Sequence, residues 1–194
     1  MQPLRSIAVF CGSSPGADPA IVEATRRFGR SLAAAGITLI YGGGSGGLMG
    51  LAADAALAGG GRVVGIIPGH LHHREVQHRH LTELLVVDSM HTRKRLMFDR
   101  ADAFVSLPGG LGTLDETIEM ITWRQLGLHD KPIVLVDQAG YWQPLLGLFE
   151  HIIGAGFARP DSRALWQVVP TVDAVLPALA QAPEPAIAAN PDGL

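Results

Sequence analysis

Short runs of β-branched and other apolar residues alternate along most of the chain with longer stretches rich in alanine and leucine. The short runs favour strands, which we expect at residues 7–11, 37–41, 63–67, 84–87, 103–107, 133–136 and 166–169. The longer stretches predict helices at 19–35, 48–58, 91–101, 112–126, 141–155 and 172–181. Alternating strands and helices form a parallel sheet with helices on both faces, joined by right-handed crossovers. The expected fold is therefore a doubly wound α/β domain of about seven strands.

Capping residues support several of these helix limits. Asp18 and Pro19 suit the N-cap and first helical position of the first helix, and Gly36 suits its end. Ser89 suits the N-cap of the helix that follows the fourth strand.

The length and composition are typical of one domain of ordinary size. Residues 1–180 of the 194 are expected to form one domain, whose core is large enough to be stable without a disulfide or a structural metal. Residues 181–194 are expected to form a disordered tail. The single cysteine, Cys11, and the lack of a signal-peptide pattern favour a cytoplasmic location. The formal charge of -3 gives no field that would attract nucleic acid. The longest uncharged stretch, 36–53, is too rich in glycine to cross a membrane.

Glycine is over-represented, with 24 residues in the chain, and much of it falls in three loops. Residues 11–16, 42–47 and 108–113 each follow a predicted strand and precede a predicted helix. Glycine lets backbone N–H groups approach an anion, and a helix N-terminus adds partial positive charge. We therefore expect a phosphate-bearing ligand, with Ser13, Gly43 and Gly44 among its contacts. The alternative is that tight turns alone require these glycines.

The second loop also fits the G-x-G-x-x-G pattern of dinucleotide sites through Gly42, Gly44 and Gly47. The acidic residue that such sites carry at the end of the next strand is missing, because Ile67 leads directly into Pro68. We therefore predict no dinucleotide and no other cofactor.

Two positively charged side chains begin the helix after the fourth strand. Arg93 and Lys94 oppose the helix dipole there, which indicates an anionic ligand, although a solvated basic helix face is the alternative. Arg93 can form two parallel hydrogen bonds with a phosphate, whereas Lys94, about 100° further round the helix, supplies a point charge.

The residues after the third glycine loop allow two interpretations. Thr113 and Glu116 can form a capping box that serves only their own helix. Alternatively, the Glu116 carboxylate faces the sugar of a nucleotide whose phosphate lies in the loop. Asp115 points elsewhere on the helix, towards the rim.

Two linked motifs resemble those of a known family. Residues 89–94 (Ser-Met-His-Thr-Arg-Lys) and 108–116 (Pro-Gly-Gly-Leu-Gly-Thr-Leu-Asp-Glu) are similar to the M-H-x-R-K and P-G-G-x-G-T-x-x-E motifs of the Lonely Guy family. Those proteins are cytokinin riboside 5′-monophosphate phosphoribohydrolases, and the likeness covers roughly residues 5–175. The resemblance implies a Rossmann-like fold and a homodimer with active sites at or near the subunit interface. It also implies hydrolysis of a nucleoside 5′-monophosphate to free base and ribose 5-phosphate.

The resemblance further implies roles for particular residues. Arg93 and Glu116 correspond to the family's catalytic pair. The implied substrate contacts are Glu75, Lys94, Gly110, Leu111, Gly112, Thr113, Leu114, Asp115 and Thr122, to which Met90 and Gly109 of the same motifs are added. The assignment of Thr122 as a substrate contact rests on the resemblance alone, because its spacing does not place it on the helical face of Glu116. Met90 has a helical spacing to Met97 and Phe98 that is equally typical of a core.

These residue types suit cleavage of a glycosidic bond. A carboxylate at Glu116 can stabilise positive charge on the ribose and can orient or deprotonate the attacking water. Arg93, with Lys94 and the glycine loops, would hold the 5′-phosphate and so position the ribose. Free nucleosides should therefore react poorly. Glu75 is a candidate for the acid that protonates the leaving base.

The residues also bear on two alternative functions and on a possible metal site. A pyridoxal phosphate-dependent lysine decarboxylase needs a lysine for its Schiff base. The chain has only Lys94, in the expected phosphate site, and Lys131, just before a strand, so we do not expect this function. A non-catalytic carrier of a nucleotide or phosphorylated cofactor on the same scaffold is the main alternative. No metal site is predicted from the histidines near the third strand, because their spacing does not match a metal-binding pair: His70, His72, His73, His78 and His80.

Overall fold

The computed structural model describes residues 4–72 and 77–183. Within these ranges, seven strands form one parallel sheet. They are β1 Ser6–Phe10, β2 Thr38–Tyr41, β3 Val63–Pro68, β4 Glu83–Val87, β5 Ala103–Ser106, β6 Ile133–Val136 and β7 Gln167–Val169. The strand order is β4-β3-β2-β1-β5-β6-β7, so the chain starts in the middle and winds outward to each side in turn. The predicted doubly wound α/β fold is confirmed.

Helices connect these strands. They are α1 Pro19–Ala34, α2 Gly47–Ala58, α3 Gly69–His72, α4 Met90–Arg100, α5 Leu111–Gln125, α6 Gln143–Gly154 and α7 Val175–Ala180. The short α3 was not predicted. The helix expected at 172–181 divides into a 3-10 turn, Val172–Ala174, and α7. None of the described helices is long and apolar enough to cross a membrane.

The predicted caps are confirmed. The Asp18 carboxylate accepts a hydrogen bond of 2.8 Å from the N–H of Ala20, and Ser89 Oγ accepts one of 3.1 Å from the N–H of Thr92. Gly36 follows α1 with a φ of 67°, in the left-handed region that glycine adopts without strain. Local sequence signals therefore account for where α1 and α4 begin.

The hydrophobic core lies on both faces of the sheet, as expected for parallel strands. All five residues of β1 are buried, with Ile7 and Val9 on one face and Ala8 and Phe10 on the other. Helices α1, α2 and α7 cover the first face, and α4, α5 and α6 cover the second. The tail predicted at 181–194 lies outside the described residues from 184 onward, while Gln181 and Ala182 still donate to carbonyls of α7.

Candidate active site

The candidate site lies where the strand order reverses, between β1 and β5. Loops beyond the carboxyl ends of two adjacent strands diverge at such a point and leave a crevice. Here the loops are tied together by their backbones. The N–H of Gly12, after β1, donates to the Pro108 carbonyl, after β5, at 3.1 Å. The Gly12 carbonyl accepts in turn from the N–H of Leu48 at 3.0 Å.

The first two glycine loops pack against each other. Gly47 has a φ of 59°, and a Cβ there would lie 2.3 Å from the carbonyl carbon of Ser13. Gly43 has a φ of 79° and is buried against β3, while Gly44 forms a β-bridge with Gln77. The N–H groups of Leu48 and Met49, at the N-terminus of α2, already donate to the Gly12 carbonyl. Close packing and a positive φ therefore account for Gly43 and Gly47. Of the three ligand contacts predicted in these loops, Ser13 is exposed, whereas Gly43 and Gly44 are buried.

The third loop, 108–113, differs because its helix N-terminus is open. Helix α5 begins at Leu111, with Gly110 as an extended N-cap and no side chain capping it. The N–H groups of Leu111, Gly112 and Thr113 have no acceptor within residues 4–72 and 77–183. Unpaired N–H groups at the positive end of a helix dipole form an anion site.

The capping-box interpretation of Thr113 and Glu116 is wrong. Because α5 starts two residues before Thr113, this threonine lies inside the helix and is buried. Its hydroxyl lies against Gly109, where a Cβ would approach Thr113 Oγ1 to 2.1 Å. Glu116 is the sixth residue of α5 and is not needed to cap it.

Arg93 projects from α4 over the ends of β3 and β2. Its Nε donates to the Ile66 carbonyl at 3.1 Å, and Nη1 lies 3.7 Å from the sulfur of Met90. The guanidinium occupies space that only glycine leaves open, because a Cβ on Gly42 would lie 1.8 Å from Arg93 Nη2. The arginine side chain is 9 % exposed and is held in one direction.

This direction brings Arg93 to Glu116. The distance from Arg93 Nη2 to Glu116 Oε1 is 3.9 Å, too long for a hydrogen bond but close enough for strong attraction, and the Glu116 side chain is 12 % exposed. Burial raises the pKa of Glu116 to about 7, although the Arg93 charge opposes the rise. Burial likewise raises the pKa of the Cys11 thiol, with Glu116 adding to the effect. The pair thus combines a fixed cation with a carboxyl group that titrates near neutral pH.

Lys94 faces a different neighbour. Its Nζ lies 3.0 Å from Glu119 Oε1 and 3.2 Å from Asp115 Oδ2, so it bridges α4 to α5. Burial alone would lower the pKa of Lys94, but the hydrogen bonds to Glu119 and Asp115 raise it above its usual value. Arg93 and Lys94 therefore point apart, as their helical spacing predicts, and Lys94 is already paired with carboxylates.

The remaining predicted contacts lie on or near the exposed side of α5. An open groove of about 540 Å³ is lined by Leu111, Leu114, Asp115, Ile118, Glu119, Thr122 and Trp123. Thr122 donates to the Ile118 carbonyl at 2.8 Å and faces this groove. Met90 is partly exposed at the start of α4, whereas Met97 and Phe98 are core residues. Glu75 lies outside the described residues.

Sequence reasoning missed two contributors to this site. Gly42 provides the clearance for Arg93, and the Tyr141 hydroxyl donates to the Gly109 carbonyl at 2.6 Å. Tyr141 comes shortly after β6, at the same sheet edge as the glycine loops. The predicted strand order could have placed it there, because β6 is adjacent to β5.

The two lysines do not fit a pyridoxal phosphate site. Lys131 Nζ donates to the Phe98 carbonyl at 2.7 Å and lies 4.1 Å from the centre of the Phe98 ring. Lys94 is held by Asp115 and Glu119. Both amines are therefore engaged in structural contacts, and neither is positioned to form a Schiff base with a cofactor.

Comparisons with known proteins identify the family of the chain. A family model described as "Possible lysine decarboxylase" matches residues 49–179. The chain is 43 % identical over 176 residues to a cytokinin riboside 5′-monophosphate phosphoribohydrolase of Rhodococcoides fascians, covering 90 % of this chain and 89 % of that protein. It is 45 % identical over 167 residues to an enzyme of the same name from Arabidopsis thaliana, covering 86 % and 78 %.

Solved structures share the fold. The molybdenum cofactor carrier protein of Chlamydomonas reinhardtii superposes with a TM-score of 0.70 at 22 % identity, covering 92 % of this chain and 98 % of that one. This identity is low, so the likeness concerns the fold alone. The match to the phosphoribohydrolases covers most of the chain. The chain therefore belongs to the Lonely Guy family, the family of the cytokinin riboside 5′-monophosphate phosphoribohydrolases, whose members the matching family model also covers.

Proposed function

We propose that the protein hydrolyses the N-glycosidic bond of adenosine 5′-monophosphates, with or without an N6 substituent, to free base and ribose 5-phosphate. The observation that carries this proposal is the buried Arg93–Glu116 pair, 3.9 Å apart, beside the open N-terminus of α5. The relatives named as phosphoribohydrolases support the same reaction.

The two halves of the site suit the two ends of ribose 5-phosphate. The N–H groups that begin α5 can bind the phosphate. Gly110 and Glu116 are six residues apart, about 9 Å along a helix axis, which a ribose ring and its phosphate can span. Phosphate binding would then place the ribose against the carboxylate, so that binding energy at a non-reacting group serves catalysis.

Glu116 would act at the anomeric carbon. As the bond from this carbon to the base nitrogen breaks, its electrons leave with the base, and positive charge develops on the ribose. The carboxylate stabilises that charge and accepts a proton from the water whose oxygen bonds to the anomeric carbon. The base takes up a proton from solvent, and the proton that Glu116 accepts from water returns to solvent, so that the sum is hydrolysis. A pKa of about 7 suits this transfer at neutral pH. The Arg93 charge opposes the rise in the pKa of Glu116 and so favours the ionised carboxylate, and Arg93 contacts the bound substrate.

The proposal predicts release of base from a nucleotide but little from a nucleoside. The protein is incubated with AMP, N6-isopentenyl-AMP and adenosine, and free base and ribose 5-phosphate are quantified by chromatography. We expect equimolar products from at least one nucleotide and a kcat/KM for adenosine lower by at least about 100-fold, because the phosphate contacts are missing. No release from either nucleotide would contradict the proposal, and tight AMP binding without turnover would indicate a carrier.

We also propose a homodimer whose interface includes the groove on α5. Leu111 is 85 % exposed, and Leu114, Ile118 and Trp123 line the same groove. Apolar side chains repeated at helical spacing on an exposed face are typical of an association surface. Because this helix also carries Glu116, the interface would lie near the active site.

We infer a cytoplasmic location from the single cysteine, which is buried and unpaired.

Placing a charge in this groove should dissociate the dimer. We expect the wild-type protein to show twice the chain mass of 20.5 kDa in light scattering, and Ile118→Glu to show the single-chain mass. The control is Phe157→Glu, which charges a residue that is 87 % exposed in the turn after α6 and should leave the mass unchanged. A monomeric wild-type protein, or a dimer that survives Ile118→Glu, would contradict the proposal.

A further inference from the structure

Tyr141 holds the third glycine loop from outside. We propose that it is a positioning residue for the phosphate: its hydroxyl orients the Gly109–Gly110 peptide so that the N–H of Gly110 is directed to the ligand. This inference rests on the proposed function, because it assigns the phosphate of the substrate to the N-terminus of α5.

The geometry starts from one hydrogen bond. Tyr141 Oη donates to the Gly109 carbonyl at 2.6 Å. In a planar trans peptide the C=O and the next N–H point in opposite directions. The N–H of Gly110 therefore points away from Tyr141, and no acceptor for it is present in the part of the chain that the structure describes. It joins the open N–H groups that begin α5.

Little else fixes this peptide. Gly109 is confined on one side, since a Cβ there would lie 2.8 Å from the nitrogen of Gly12. Gly110 is surrounded by open space, with no atom within 4 Å of the position that its Cβ would occupy. Neither residue has a side chain to restrict rotation. Among the described residues, the Tyr141 hydroxyl is the one partner of the Gly109 carbonyl.

Tyr141 is itself held by a constrained turn. The Asp137 carboxylate accepts from the N–H of Trp142 at 2.6 Å and also from the side-chain amide of Gln143. Ala139, within this turn, has a φ of 57°, which is unusual for a residue with a Cβ. The Tyr141 ring packs edge-on against Trp142, with ring centres 4.9 Å apart. The hydroxyl is therefore presented to Gly109 by a rigid support.

The test removes only the hydroxyl, with Tyr141→Phe. We expect the dissociation constant for ribose 5-phosphate and the KM for AMP to rise about tenfold, the effect of one lost hydrogen bond at a charged ligand. We expect kcat to fall less than about threefold and the affinity for free adenine to stay unchanged, because neither the Arg93–Glu116 pair nor the base depends on this contact. The other tyrosine supplies a matched control, since the buried Tyr41 hydroxyl has no hydrogen-bond partner among the described residues. Tyr41→Phe should leave all four values unchanged.

Two results would overturn the inference. One is an unchanged affinity for ribose 5-phosphate in Tyr141→Phe. The other is an equal loss of affinity for ribose 5-phosphate and adenine, which would show general damage to the site. If the wild-type protein binds AMP without cleaving it, the proposed hydrolysis fails, and the dissociation constants for AMP of the two proteins still decide the role of Tyr141.

Discussion

Replacing Glu116 by glutamine is expected to lower kcat for AMP hydrolysis by at least about 1,000-fold with little loss of AMP affinity. The amide has the shape of the carboxyl group but carries no negative charge to stabilise the ribose and accepts no proton from water. The measurement is single-turnover release of adenine, with AMP affinity and circular dichroism recorded on the same preparation. Glu150→Gln, which alters an exposed ion pair with Arg163, is the control and should retain full activity. Near-normal turnover in a folded Glu116→Gln protein would remove Glu116 from the mechanism.

The same residue should set the pH dependence of the rate. Burial raises the pKa of Glu116 to about 7, and the ionised form is the active one. Activity should therefore fall as the pH drops through about 7, and the residual rate of Glu116→Gln should lack this inflection. A wild-type rate that is constant between pH 6 and pH 8 would contradict the role of Glu116 as the base.

Stability gives an independent readout of the same substitution. The folded state binds the Glu116 proton more tightly than the unfolded chain, whose carboxyl titrates near 4.5, so folding is favoured at low pH and stability declines as the pH rises to about 7. Glutamine is uncharged at every pH, so its burial does not require a charge to be desolvated. Above pH 7 the free energy of unfolding of Glu116→Gln should exceed that of the wild type by up to about 3 kcal/mol. The difference should vanish below about pH 4.5, as urea titrations across this range would show.

Replacing Arg93 by lysine should lower kcat/KM for AMP by at least about 100-fold. Lysine keeps the charge but loses the donor to the Ile66 carbonyl and the planar group that reaches Glu116. The matched control is Arg95→Lys, because Arg95 lies on the same helix and pairs with Asp99. This variant should keep its activity within about twofold.

A companion variant tests whether the direction of the guanidinium matters as well as its charge. Gly42→Ala leaves Arg93 intact but places a Cβ 1.8 Å from the present position of its Nη2, so the side chain must move. We expect a loss of kcat/KM similar to that of Arg93→Lys. Full activity in either variant would show that the geometry around Glu116 is not required.

Much of the fold could be predicted because its signals are local. A strand that is buried on both faces appears as a short continuous apolar run, and the predicted strands agree with the observed ones within one residue at each end. Asp18 and Ser89 predicted where their helices begin, because a cap interacts with residues only two or three positions away. The start of α5 was predicted within one residue, but the capping box at Thr113 was wrong, because Gly110 has no side chain to indicate that it is the cap.

The sequence by itself determined the strand pattern, the motifs and the identities of Arg93 and Glu116. It left the three glycine loops equivalent, and only the tertiary structure separated two loops that pack on each other from one with an open helix N-terminus. The structure also decided that Arg93 approaches Glu116, that Lys94 pairs with Asp115 and Glu119, and that Tyr141 holds Gly109. The physical reason is that these contacts join residues more than 20 positions apart, so they depend on strand order and helix packing and not on local sequence.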